Sequence, residues 1–135
     1  LLALVAVVDV DYYFNRVYSD GYVLGGLNTQ VATEVAYFLR DKEPADQDVF
    51  FFGFPRMGYF SLSTIPFLAP EKQAQDVIEP LTGPSALPLR GPTLFIFLPE
   101  RLHELEFVRQ QVPDGTLQEF RNENGELLFV VYESL

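Results

Sequence analysis

Cysteine is absent from the 135 residues, so the chain has no disulfide framework, no thiolate zinc site and no cysteine nucleophile. Histidine occurs once, at His103. In His103-Glu104-Leu105-Glu106-Phe107 a Phe stands where the second metal-binding His of HExxH belongs, and no serine triad has a second His to act as base. His103 therefore reads as a half-exposed helical side chain. Basic residues are scarce. Nine Lys and Arg face nineteen Asp and Glu, a net charge of −10, which argues against the phosphate-neutralising surface of a nucleic-acid binder; no nucleic-acid partner is expected. Long hydrophobic runs are missing too: residues 1–8 are wholly apolar but stop at Asp9, well short of the roughly 20 residues that cross a bilayer. That opening run also lacks the basic flank and small-residue cleavage site of a secretory signal.

What is present is a large apolar payload. Hydrophobic residues make up 48%, with thirteen Phe and seven Tyr, so this acidic chain has enough to bury and its length suits one domain, residues 1–135. The chain starts on Leu1 and not methionine, which reads as an excised or processed segment. Its apolar start is consistent with a buried strand, a core helix or the last turns of a membrane helix.

The spacing of Val10, Phe14, Val17 and Tyr18 predicts a helix over 3–18, closed by Ser19-Asp20-Gly21. Asn28 or Thr29 is the expected cap of a second helix, with Val31, Val35, Phe38 and Leu39 inward and an end near Arg40-Asp41-Lys42. Residues 48–54 and 93–98 are nearly unbroken apolar runs of strand length and read as strands buried on both faces. Residues 74–78 form a more polar strand, fit for an edge. Ser61 is the expected start of a short helix to Leu68, and 81–91, rich in Pro and Gly, reads as loop. Pro99-Glu100 opens a helix carrying Leu102, Leu105, Val108 and Val112, which stops at Pro113-Asp114-Gly115. Asn124-Gly125 predicts a hairpin between strands 116–121 and 126–132, the first polar and at an edge, the second apolar and internal. The sum is an α/β, Rossmann-like layered sheet of three parallel strands plus a C-terminal antiparallel hairpin, in the order 2-1-3-5-4.

Two places invite chemistry. Asp9-Val10-Asp11 after an apolar run resembles the DxD element that puts two carboxylates on Mg²⁺ or Mn²⁺, and its bland alternative is a solvated helical turn. Gly21-Tyr22-Val23-Leu24-Gly25-Gly26 lacks the spacing of a phosphate cradle. The second place is the carboxyl end of the parallel strands, where open α/β sheets bind ligands. Arg56, Tyr59, Ser61, Glu79 and Glu100 fall there, and an Arg beside an aromatic suits a sugar or an anionic headgroup. The plainer expectation is that Arg56 pairs with Glu79 or Glu100. Tyr59-Phe60 also suggests a protein-interaction surface.

Tyr12-Tyr13-Phe14 with Tyr18, Ala36-Tyr37-Phe38-Leu39-Arg40, Phe52-Gly53-Phe54-Pro55-Arg56 and Ser63-Thr64-Ile65-Pro66-Phe67-Leu68-Ala69-Pro70 together resemble the C-terminal soluble domain of bacterial polytopic membrane glycosyltransferases. These are similar to dolichyl-phosphate-mannose protein mannosyltransferases and the lipid A aminoarabinose transferase. The resemblance implies an extracytoplasmic accessory domain, anchored through upstream transmembrane helices of the same chain. Its partners would be a polyprenyl-phosphate sugar and a glycan or protein acceptor, and the catalytic acid would lie upstream of Leu1. It places no catalytic residue and no cofactor in this segment. The alternative is a stand-alone metal-dependent enzyme using Asp9 and Asp11 on a phosphorylated substrate.

Overall fold

The computed structural model describes residues 8–12, 26–43, 46–84 and 87–134. Most of the helix expected over 3–18 and the loop expected after it lie outside the described residues; within them, 8–11 are helical and Val8, Val10 and Tyr12 are exposed. From Gly26 the elements are α1 (Gly26–Arg40), β1 (Asp48–Phe52), α2 (Thr64–Leu68), β2 (Gln73–Asp76) and β3 (Thr93–Phe97). A 3₁₀ helix (Pro99–Glu104) then runs into α3 (Leu105–Gln111), followed by β4 (Thr116–Arg121) and β5 (Leu127–Ser134).

The five strands form one mixed sheet in the order β2-β1-β3-β5-β4. β1 pairs in parallel with β2 and β3, while β5 runs antiparallel to both β3 and β4. The order follows from polarity: Asp48–Phe52, Thr93–Phe97 and Leu127–Ser134 are buried almost throughout and take the interior, whereas Gln73–Asp76 and Thr116–Arg121 are too polar to be covered on both sides.

Period-two alternation divides the buried side chains between two cores. Val49, Phe51, Leu94, Ile96, Phe129 and Val131 face the buried stripe of α1 together with Ile65 of α2. Phe50, Phe52, Phe95, Phe97 and Tyr132 face Leu105 and Val108, with Leu81, Leu87 and Leu89 of the Pro-rich loop packed beside them. Phe52 stacks on Phe97 at 4.2 Å and Phe50 on Phe95 at 5.7 Å, cross-strand pairs that add about 0.5–1.5 kcal/mol each beyond their burial.

Most element boundaries shift by one or two residues, β2 to Gln73–Asp76 and β5 to Leu127–Ser134 among them, and three differences have a visible cause. β1 stops at Phe52 and not at residue 54, because Gly53 turns the chain and Met57 N–H closes the turn on the Gly53 carbonyl at 3.0 Å. The helix after Pro99 opens as 3₁₀ and not α, and its Arg101 and Glu104 are buried. α2 begins at Thr64 and not at Ser61, whose hydroxyl instead accepts the Gly58 N–H at 2.8 Å. In the hairpin the Asn122 carbonyl accepts the Gly125 N–H at 2.9 Å, and Gly125 sits at φ +80°, a region glycine enters without strain.

Candidate functional site

The carboxyl ends of β1, β2 and β3 carry the rim where a ligand was expected. Three segments build it: residues 53–61 after β1, 77–81 after β2 and 98–104 after β3. The N-terminus of α1 joins them, because Asn28, expected as a helix cap, lies inside the helix and accepts a hydrogen bond from Arg56 Nε at 2.7 Å. Arg56 Nη1 also donates to Glu100 at 2.9 Å, so of the two expected partners it takes Glu100 and not Glu79. Its Nη2 is buried without a partner.

Tyr59 does not line this rim. At 1% exposure its ring packs into the α1-side core edge-on to Phe51, its hydroxyl has no partner, and burial pushes its phenol up to about 12. The cause is the fold-back of residues 53–58, which turns the ring under the loop. The Tyr59 backbone N–H donates to Asp76 Oδ1 at 2.7 Å, tying the loop to the end of β2. Burial pushes the Asp76 carboxyl above the usual aspartate range, with that N–H opposing it. Gly58 makes this approach possible, since a Cβ there would lie 2.9 Å from Asp76 Oδ2 and 2.7 Å from the Phe54 ring. Ser61 is exposed and accepts from Gly58; Glu79 is exposed, and its backbone carbonyl, not its carboxylate, takes part in the rim.

The most deeply buried ionic group at the rim is one that amphipathic spacing hides. Arg101 grips Glu104 through two hydrogen bonds, Nε–Oε1 at 2.5 Å and Nη2–Oε2 at 2.6 Å, with the two side chains 5% and 0% exposed. The same guanidinium donates to the Val77 carbonyl, to Ile78 O at 3.4 Å and to Glu79 O at 3.2 Å, while Glu104 accepts the Leu81 N–H at 2.8 Å. Phe52 lies under the guanidinium, 5.4 Å from its centre. The pair thus clamps the chain as it leaves β2. Burial works to raise the Glu104 carboxyl, but the hydrogen bonds from Arg101 and Leu81 and the Arg101 charge outweigh it, holding the group below the usual glutamate range. The only sequence signal was Arg and Glu at i, i+3, a spacing that exposed helices share.

Beside the polar Ser61, Glu79, Glu100 and His103, the rim also exposes apolar side chains. Leu27 beside Asn28, Phe60 against the Tyr59 ring and Ile78 two residues beyond Asp76 are 40%, 62% and 59% exposed. Asp9 and Asp11 are both exposed on their helical turn, where residues two apart point about 200° away from each other and do not converge on one ion. Among the described residues no three His, Cys, Asp or Glu side chains gather as a metal site, and no helix is long and apolar enough to cross a membrane.

The opposite end of the sheet holds a second polar cluster. Lys72, 9% exposed, donates to the Lys42 carbonyl at 2.8 Å past the end of α1, and Lys42 pairs with Glu133 at 2.6 Å. Burial pushes the Lys72 ammonium below the usual lysine range. These contacts fasten α1 to the sheet. The chain matches no family model, no curated protein and no solved structure.

Proposed function

We propose that this chain is an accessory, non-catalytic domain of a polytopic membrane glycosyltransferase that uses a polyprenyl-phosphate sugar, and that its rim positions the donor or the acceptor on the extracytoplasmic side. One observation carries the reading. Arg56, Arg101, Glu104 and Asp76 engage protein groups, as does Glu100, and beside the exposed Ser61, Glu79 and His103 the rim offers a ligand the apolar side chains of Leu27, Phe60 and Ile78. That apolar trio suits docking and orientation. The resemblance read from the sequence supplies the class of enzyme.

The first check is the reading frame upstream of Leu1. A series of membrane-length apolar stretches supports the proposal, and an initiator codon immediately before Leu1 overturns it. The second uses the full transferase: Phe60→Ser with Ile78→Ser should raise KM for donor or acceptor several-fold at an unchanged protein level, while the 135-residue chain alone shows no turnover. If the chain alone is stabilised by several degrees in millimolar Mg²⁺ or Mn²⁺, and Asp9→Asn or Asp11→Asn abolishes the effect, the metal-dependent alternative replaces it.

A further inference from the structure

The free edge of the sheet has a construction of its own. α1 carries two adjoining stripes. Val31, Ala32, Val35, Ala36 and Leu39 face the core, and beside them Glu34, Tyr37 and Phe38, continued past the helix end by Asp41 and Lys42, lie at i, i+3, i+4, i+7 and i+8 on the side toward β4. With Phe120 of β4 this second stripe lines a groove of about 340 Å³. Phe120 is held in place by stacking on Phe129 at 4.4 Å and by the edge of Phe38 at 5.1 Å.

Among the described residues β4 pairs on one side alone, with β5. All of its residues but Phe120 are exposed; it carries no proline and no described helix covers its edge, while the charges at Glu119 and Arg121 pair with each other at 2.9 Å and an irregularity falls between Phe120 and Arg121, so Thr116–Phe120 is the regular stretch open to a further strand. Register decides which side chains meet an added strand. Gln118 and Phe120 lie opposite Val131 and Phe129 and face α1, whereas Leu117 and Glu119 face the other way. A sixth strand would therefore present alternate residues to the groove.

Charge selects the occupant. Asp41 is paired with Arg40 and Lys42 with Glu133, so Glu34 is the groove carboxylate without a counterion among the described residues. A second copy of the chain, carrying −10, is repelled; a basic segment is attracted. We propose that β4 receives an extended segment of a partner protein in which apolar and basic residues alternate. It adds as a sixth strand, places an apolar side chain against Phe120 and Tyr37, and brings a Lys or Arg to Glu34. This inference stands apart from the rim and from any transferase activity.

The probe is a fluorescein-labelled nine-residue peptide alternating Val and Lys, titrated against the whole chain by anisotropy at moderate salt, with amide exchange locating the contact. The expected result is saturable binding, slowed exchange within Thr116–Arg121, and affinity about 5-fold weaker in Glu34→Lys, an exposed change whose folding is checked by melting. Equal binding of a Ser/Lys peptide would reduce the effect to net charge and overturn the proposal. So would protection that falls elsewhere, indifference to Glu34→Lys, or sedimentation showing that the chain dimerises through β4, which makes a second copy the occupant.

Discussion

Glu104→Gln removes one charge from the most buried ion pair at the rim and leaves the Arg101 guanidinium, 5% exposed, without its counterion. Breaking a buried pair from one side costs about 3–5 kcal/mol, because the remaining charge stays desolvated. At about 3–5 °C per kcal/mol for a domain of this size, the melting midpoint at pH 7 should fall by about 10–20 °C. The pH dependence has a definite sign. Glu104 titrates below its ordinary value in the folded state, so its contribution is complete above the unfolded value near ~4.3 and disappears as pH falls through the lower folded value. The gap between wild type and Glu104→Gln should therefore be constant from pH 8 to about 5 and close in more acidic solution. The double variant Arg101→Met/Glu104→Leu supplies the control. It removes both charges; the Ile78 and Glu79 carbonyls that Arg101 served belong to exposed residues, and the Val77 carbonyl and Leu81 N–H that also lose a partner are neutral groups on half-buried residues, cheaper to leave than a buried charge. It should thus melt above Glu104→Gln. Circular dichroism melts across that pH range decide the matter: a loss under about 3 °C for Glu104→Gln, or a double variant less stable than the single one, refutes the clamp.

Asp76→Asn should act in the opposite direction. The Asp76 carboxyl is raised in the folded state, so its ionisation lowers stability as pH climbs from the unfolded value near ~3.9 through the higher folded one. An amide keeps an acceptor for the Tyr59 N–H, and the variant should melt slightly higher than wild type at pH 7 and equal to it in acid; a lower midpoint at pH 7 contradicts this. Gly115→Ala should cost about 1–3 kcal/mol, since the new Cβ would sit 2.3 Å from the Tyr132 ring whose hydroxyl holds the Gly115 N–H at 2.9 Å. Urea unfolding checks it, and an unchanged midpoint contradicts the packing. Phe67→Ser, at a side chain 80% exposed, should stay within about 0.5 kcal/mol of wild type in the same assay.

The sheet could be read from the sequence because strand polarity and strand position are the same fact here. Phe50, Phe51 and Phe52 have no soluble face to offer, so β1 goes to the interior, while Gln73 and Gln75 keep β2 at an edge. The site was less legible because its key contacts join residues that local pattern treats as ordinary. Tyr59 stands among Gly, Pro and Ser, a context that reads as exposed loop, and only the fold-back onto Gly53 sends it inward. Arg101 and Glu104 lie where an amphipathic helix would display charge; the 3₁₀ opening after Pro99 turns them toward the chain leaving β2 instead. The stripe Glu34, Tyr37, Phe38, Asp41 and Lys42 had the right period but needed the position of Phe120, far along the chain, to become a groove.

The strand order also sets the rim aromatics and the β4 groove on opposite edges of the sheet, although α1 reaches both, with Asn28 at the rim and Glu34 at the groove. β2, which borders the rim aromatics, and β4 are opposite edges, separated by β1, β3 and β5. Four strand spacings of about 4.8 Å place them roughly 19 Å apart, beyond the 7–10 Å over which substitutions usually couple. The interposed strands are buried almost throughout, with Phe52 of β1 stacked on Phe97 of β3. Phe60→Ser with Ile78→Ser should therefore leave affinity for the Val/Lys peptide unchanged to within about 0.5 kcal/mol, and its effect should add to that of Glu34→Lys. A coupling above about 1 kcal/mol in that cycle would mean that rim and edge report on one equilibrium, and that docking a partner on β4 regulates what the rim holds.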